Sequence, residues 1–242
     1  MIRLNITAIK EILDKCYKAY LSNGLKVYSL GKFSSLSGTE QQLLFNKLYF
    51  LTQCGFSQPS SYELEQDTWG HVSNAEFLYL VVEDQDNIIS YSLFNIYQWQ
   101  RKSILYLSGS MVDPKFQGKG ISSNVLKFVA ARFQTDYIAA RTQNPVMYSS
   151  FHKACDKAYP SFHTNDKIPQ IIKAIGFYLA KDILKMKFYL PDKMVGIETY
   201  GHCLYGKEPL HSSKTIDEVF KKNVNLKRGD SVLLIGTISK GW

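Results

Sequence analysis

The sequence holds only four cysteines, Cys16, Cys54, Cys155 and Cys203, and no Cys-x-x-Cys pair. That scatter suits a reducing compartment better than a disulfide framework. Repeats and low-complexity segments are absent. No window approaches the run of about 20 apolar residues that a membrane span needs. The opening residues "MIRLNITAIKEILDKCYKAYL" lack an apolar h-region and a small-residue cleavage site. They read as an amphipathic helix rather than a leader, so a cytoplasmic protein with no membrane partner is expected.

What is present is ordinary globular composition, 45% hydrophobic and 21% charged over 242 residues, which argues against disorder. Charge is unevenly placed. Residues 1–100 carry 7 Lys/Arg against 10 Asp/Glu, and residues 101–242 carry 22 against 11. The basic half fits nucleic acid, a phosphorylated cofactor, an acidic lipid surface or a merely solvated face.

Ile6, Ile9, Ile12, Leu13, Tyr17 and Tyr20 recur at helical spacing, and Asn23-Gly24 stops that helix. "LKVYSL" (25–30) reads as a strand, and "SGTE" (37–40) as a capping box before a helix to about Cys54. Residues 57–75 read as loop with a short helix. "FLYLVVE" (77–83), a turn "DQDN", and "IISYSLFNIYQW" (88–99) form a hairpin, followed by a strand "ILYLSGSMV" (104–112). A helix carrying Val125, Leu126, Val129 and Phe133 comes next, then a strand "YIAART" (137–142) and a helix opened by Pro145 through about Lys157. A helix near 169–182 and strands at 184–190 and 230–238 complete the pattern. This order predicts a mixed α/β (α+β) sheet, mostly antiparallel, with helices on both faces. The expected divisions are an N-terminal helical extension (1–23), a core (24–190) and a C-terminal segment completing the sheet (191–242).

The turn "DPKFQGKGISS" between strand and helix carries the chemistry. It lacks the Gly-Lys-Ser/Thr ending of a P-loop, and position 123 is Ser where a dinucleotide fingerprint needs a third glycine. Glycines still let backbone N–H groups turn toward an anion, and the following helix adds unsatisfied donors and its dipole. Lys115 and Lys119 add charge. The turn is therefore expected to hold a phosphate or pyrophosphate.

"QGKGIS" (117–122), preceded by "MVDP", resembles the Gln/Arg-x-x-Gly-x-Gly/Ala motif of the GNAT superfamily of acyl-CoA-dependent N-acetyltransferases. Element order resembles that family's core over roughly residues 77–157. Ser122 departs from the final Gly/Ala of the motif. The resemblance implies a splayed parallel strand pair, here 104–112 and 137–142, with pantetheine amides lying along backbone groups of Ser110, Met111 and Val112. It implies diphosphate contacts from the amides of Gln117, Gly118, Lys119, Gly120, Ile121, Ser122 and Ser123. A backbone N–H near Met111 would polarise the thioester carbonyl.

The resemblance also implies an Asn after the second strand and a Tyr further along the helix. Asn144 is the expected cofactor contact and Tyr148 the general acid. Asn144 as a helix N-cap and Tyr148 as a core tyrosine are the alternatives. Glu83 is the candidate base, against a solvated carboxylate. His152 and Cys155, three apart, suit a metal or nucleophile pair, or a core Cys beside a surface His; no metal is expected. "YGHCLYG" (200–206) either lines the acceptor site or is a packed loop. "KAIGF" (173–177) resembles the family's Gly-Phe but comes too late to take its role.

The function so implied is acetyl transfer from acetyl-CoA to a primary amine, on a small molecule or a protein. A catalytically silent acyl-CoA-binding module on the same fold is the alternative. A homodimer is compatible with this reading, and nucleic acid ranks last among partners.

Overall fold

The computed structural model describes residues 2–83, 86–162, 164 and 166–238, with the side chains of 2–7 excepted. Asp84 and Gln85 of the expected turn, and the side chain of Ile6, lie outside the described residues. Two compact units divide the chain. Met1–Ile96 with Leu107–Phe128 form the first, and Tyr97–Tyr106 with Val129–Trp242 the second.

The first unit opens with α1 (Ile2–Asp14), β1 (Tyr17–Tyr20) and β2 (Lys26–Leu30), then α2 (Gly38–Phe56) and α3 (Tyr62–Asn74). The predicted first helix thus ends early, and Tyr17–Tyr20 pair antiparallel with β2. The strands β3 (Phe77–Val82), β4 (Ile88–Trp99) and β5 (Lys102–Val112) follow, and α4 (Ile121–Phe133) leaves the glycine turn. Strand order is β1-β2-β3-β4-β5. The capping box is present at the start of α2, where Ser37 Oγ takes the Glu40 amide and Glu40 takes the Ser37 amide. Leu44, Leu48 and Leu51 of α2 bury one helical stripe against Leu78, Leu80, Tyr91 and Leu93 of the sheet. Each fully buried leucine contributes roughly 1.5–3 kcal/mol. On the opposite face Tyr79 meets Phe94 and, from α4, Phe128, edge to face at 5.7 and 6.2 Å. Helices therefore cover both faces of this sheet.

The second unit holds the first half of β5, then β6 (Tyr137–Thr142), α5 (Pro145–Ala154) and β7 (Lys157–Tyr159). It continues with α6 (Gln170–Tyr178), which widens into a π-helical turn over Leu179–Ile183. Then come β8 (Phe188–Leu190), β9 (Val195–Ile197), α7 (Lys214–Asn223) and β10 (Ser231–Thr237). β5 runs parallel beside β6, and the order continues β6-β10-β9-β8, with β7 also on β10. The other ladders are antiparallel. The architecture is mixed α/β, mostly antiparallel, with one parallel pair. Asp136 fastens the parallel pair at its start. Its carboxylate takes the Ser103 amide at 2.9 Å and pairs with Lys102 at 3.3 Å. Gly176, in the "KAIGF" stretch, is a packing glycine. A Cβ there would stand 2.5 Å from the Tyr189 hydroxyl. Among the described residues no helix is long and apolar enough to cross a membrane.

Candidate active site

In the first unit, the turn from β5 to α4 begins with one 3₁₀ turn at Pro114–Phe116, capped by Asp113. Gln117 Nε2 folds back onto the Val112 carbonyl at 3.1 Å. Gly118 and Gly120 then take φ values of +79° and +72°. This is left-handed backbone that side-chain-bearing residues occupy at a cost. Nothing lies within 4 Å of a Cβ built at Gly118, so the requirement there is conformational and the space above it is open. The first bond inside α4 runs from the Asn124 amide to the Gly120 carbonyl at 3.0 Å. The amides of Ile121, Ser122 and Ser123 accordingly have no acceptor within the helix. Ser123 Oγ also binds the Gly120 carbonyl, at 2.9 Å. Lys119 Nζ rests 4.7 Å over the Phe116 ring, and Lys115 is exposed. The loop can therefore receive an anion from solvent on a row of backbone donors. Asn124 is steadied by Ser22 Oγ, at 3.1 Å, from the β1–β2 turn.

The direction of the β5 backbone groups follows from its register with β4. The Asp113 amide donates to the Ile89 carbonyl at 2.8 Å, and the Ser92 and Ser110 hydroxyls meet at 3.1 Å. Residue 113 therefore faces 89 and 110 faces 92. Antiparallel alternation turns the backbone groups of Met111 toward β4 and those of Ser110 and Val112 away from it. Met111 places its side chain under α2, where a Cβ on Gly55 would come within 2.7 Å of its Sδ. Gly109 lies against Leu93, 3.1 Å from a built Cβ.

Glu83 is half-buried, its amide bonded to the Asn87 carbonyl at 2.9 Å. It lies past the end of β3, two strands from β5. At about 4.8 Å per strand and 3.3 Å per residue, it stands roughly 10 Å across and 13 Å along from Ser110, which faces Ser92 and, beyond it, Tyr79. That exceeds the reach of one carboxylate.

In the second unit, Asn144 caps α5, its Oδ1 taking the Val146 amide at 2.8 Å. Its Nδ2 donates to the Tyr205 hydroxyl oxygen at 3.3 Å. Tyr148 is one turn further in and only 2% exposed. It stacks on Phe162 at 5.2 Å, meets Phe220 edge-on at 5.7 Å, and lies 4.5 Å from the His152 ring. Its hydroxyl oxygen takes the Phe162 amide at 2.8 Å. Burial pushes the Tyr148 phenol up, and that hydrogen bond offsets part of the rise.

His152 binds the Pro160 carbonyl at 3.1 Å, and Cys155 packs at Gly236. Both side chains sit in packing contacts. Among the described residues no three His, Cys, Asp or Glu side chains converge as a metal site.

Sequence reasoning missed Gln143. Buried at 2% exposure, it donates to the His202 and Asp230 carbonyls and accepts the Leu204 amide at 2.9 Å. The aromatic loop at 200–206 is therefore packed onto the β6–α5 junction. The Arg141 guanidinium lies 4.5 Å over Tyr200, and the Tyr200 amide reaches the Gly229 carbonyl at 3.1 Å. No sequence signal ties Gln143 to partners some sixty residues away.

Residues 44–154 match the Acetyltransferase (GNAT) family. No curated protein matches the sequence. Among solved structures, the chain is similar to the ribosomal-protein-S18-alanine N-acetyltransferase of Escherichia coli, with 9% identity and a TM-score of 0.47 over 89% of this chain and 96% of that one. Tetrahymena GCN5 aligns with 12% identity and a TM-score of 0.42 over 84% and 91%. The ribosomal-protein-S5-alanine acetyltransferase of Vibrio fischeri aligns with 16% identity and a TM-score of 0.40 over 59% and 85%. The stretch that matches the Acetyltransferase (GNAT) family, residues 44–154, includes the glycine turn between β5 and α4.

Proposed function

We propose that the protein transfers an acetyl group from acetyl-CoA to a primary amine. The observation that carries this reading is the turn after β5, two glycines at positive φ followed by unpaired helical amides. The residues present suit acetyl-CoA. Amides from Gly118 to Ser123 seat the diphosphate, and Lys115 and Lys119 supply countercharge. The outward backbone groups of Ser110 and Val112 pair with pantetheine amides as an added strand would. One of those outward N–H groups also polarises the thioester carbonyl, a contribution of about 3 kcal/mol in comparable sites. Asn144, which caps α5, is the further cofactor contact that the family resemblance suggests.

In the reaction a neutral amine attacks the carbonyl carbon. A C–N bond forms, the C–S bond breaks, and the amine proton leaves to water. Glu83 takes part only through such water.

The test is thermal shift with CoA and acetyl-CoA, followed by free-thiol release over a panel of amines and peptides. A raised midpoint together with amine-dependent thiol release is expected. No shift with either ligand overturns the proposal. A shift with no thiol release across the panel marks a silent acyl-CoA binder instead.

A further inference from the structure

We propose that the Asn124 carboxamide is a further phosphate donor of the glycine turn, and that Ser22, on the β1–β2 turn, is the residue that positions it. This rests on the reading of that turn as a CoA site and deepens it.

Ser22 and Asn124 lie 102 positions apart, and Ser22 falls outside the stretch that matches the family. Both belong to the first unit. A helical side chain leans back over the turn that precedes it. Asn124 does so: its Nδ2 stands 3.7 Å from where a side chain on Gly120 would begin, at the head of the row of amides that lack a helical acceptor. A carboxamide has one acceptor end and one donor end. Ser22 Oγ donates to Asn124 Oδ1 at 3.1 Å, which turns the acceptor end to the β1–β2 turn and the donor end to Gly120. Among the described residues the Nδ2 group has no acceptor. Ser123 beside it differs, because its Oγ is taken up by the Gly120 carbonyl at 2.9 Å.

The turn that carries Ser22 is held firmly. The Gly24 amide donates to the Leu21 carbonyl and the Leu21 amide to the Leu25 carbonyl, both at 2.9 Å, and Asn23 Oδ1 takes the Leu25 amide at 3.4 Å. Gly24 takes a φ of +83°, and Leu21 is buried. β1 is the last strand of the order, with β2 its one neighbour there, yet its turn reaches the helix that leaves β5. A phosphate oxygen arriving at the loop therefore meets backbone N–H groups and one side-chain donor already oriented, which lowers the ordering cost of binding. Phosphate on Nδ2 and Ser22 on Oδ1 also polarise the same amide and strengthen each other. The phosphate is either the 5′-diphosphate or the 3′-phosphate of the coenzyme.

The experiment measures affinity for CoA and for 3′-dephospho-CoA by calorimetry on the full chain. Wild type is compared with Asn124→Leu, Ser22→Ala, the double variant and Asn124→Asp. Asn124→Leu is expected to weaken CoA binding about tenfold, the size of one hydrogen bond to a charged group. The same loss with both ligands assigns the donor to the diphosphate, and a loss confined to CoA assigns it to the 3′-phosphate. Ser22→Ala should cost about threefold alone and nothing further beside Asn124→Leu, since it acts through that amide. Asn124→Asp keeps the acceptor for Ser22 and suits the first turn of a helix, so the fold is retained, while CoA affinity should fall about 100-fold. CoA should slow hydrogen exchange at the Leu21 and Gly24 amides in wild type and not in Asn124→Leu. Undiminished affinity for both ligands in Asn124→Leu or in Asn124→Asp overturns the inference. So does a Ser22→Ala loss that persists in full in the double variant, or exchange at the β1–β2 turn that CoA leaves unchanged. If wild type binds neither CoA nor 3′-dephospho-CoA, the CoA reading of the turn falls instead.

Discussion

Gly118 and Gly120 show how one residue type can be demanded by backbone geometry rather than by crowding. Neither has a close neighbour that a methyl group would strike, yet both sit at positive φ. Gly120→Ala should therefore cost about 1–2 kcal/mol in stability with modest loss of ligand affinity. Gly120→Glu adds a carboxylate where the diphosphate should lie. It should lower CoA affinity by at least about 100-fold in calorimetry, since like charges a few ångströms apart cost several kcal/mol at a partly shielded surface. The turn itself was legible because its residues are contiguous and both glycines take the positive φ expected of a tight turn. Asn144 was half legible. Asn before Pro predicts an N-cap, which it is, but its second bond to Tyr205 spans 61 residues and leaves no local trace. Tyr148 carries the same lesson. Its position on α5 is plain in the sequence, whereas the ring cluster around it draws on Phe162 and Phe220 from separate segments.

Longer elements with strong periodicity were read within a few residues: α2, β3, β4, β5, α4 and β6. The errors fall on short elements. β7 and β9 have three residues each, too few to show alternation, and of the strand expected at 184–190 only Phe188–Leu190 forms, as β8. β1 was hidden because Tyr17 and Tyr20 continue the spacing of the preceding helix. α3 and α7 are largely polar, so hydrophobic spacing marked them weakly. Two connections between elements invite tests. Asp136 joins the start of β6 to β5, and the Ser103 amide foremost, with Lys102 and the Ser103 hydroxyl, lowers its carboxyl from 3.8 to about 2. A depressed carboxyl stabilises the fold above its unfolded value, and the contribution is lost as pH falls through the folded one. The melting temperature should accordingly decline between about pH 4 and pH 2, with a shallower decline in Asp136→Asn. The second connection is Gly229, at φ +81°, where a Cβ would stand 2.5 Å from the Gly201 and His202 nitrogens. Gly229→Ala should destabilise by roughly 2 kcal/mol and speed hydrogen exchange at the Leu204 amide as the loop leaves Gln143.

Taken as a whole, the chain should report its ligand by a global measurement. At a ligand concentration 100 times Kd, binding adds about 2.7 kcal/mol, which for a protein of this size is a rise of roughly 5–10 °C in Tm. Acetyl-CoA is expected to produce that rise, and Gly120→Glu to abolish it in the same scan. Fold class was legible at this scale because strand order follows chain order through β6. The remainder of the second unit was not. β10 comes after every other element of that unit in the sequence, yet it lies between β6 and β9 and also pairs with β7. A ribosome delivers these strands in the opposite order of need. Until residue 237 has emerged, three partners wait with unpaired edges, and the nascent chain is exposed to wrong pairings and to chaperones from the emergence of β6 onward.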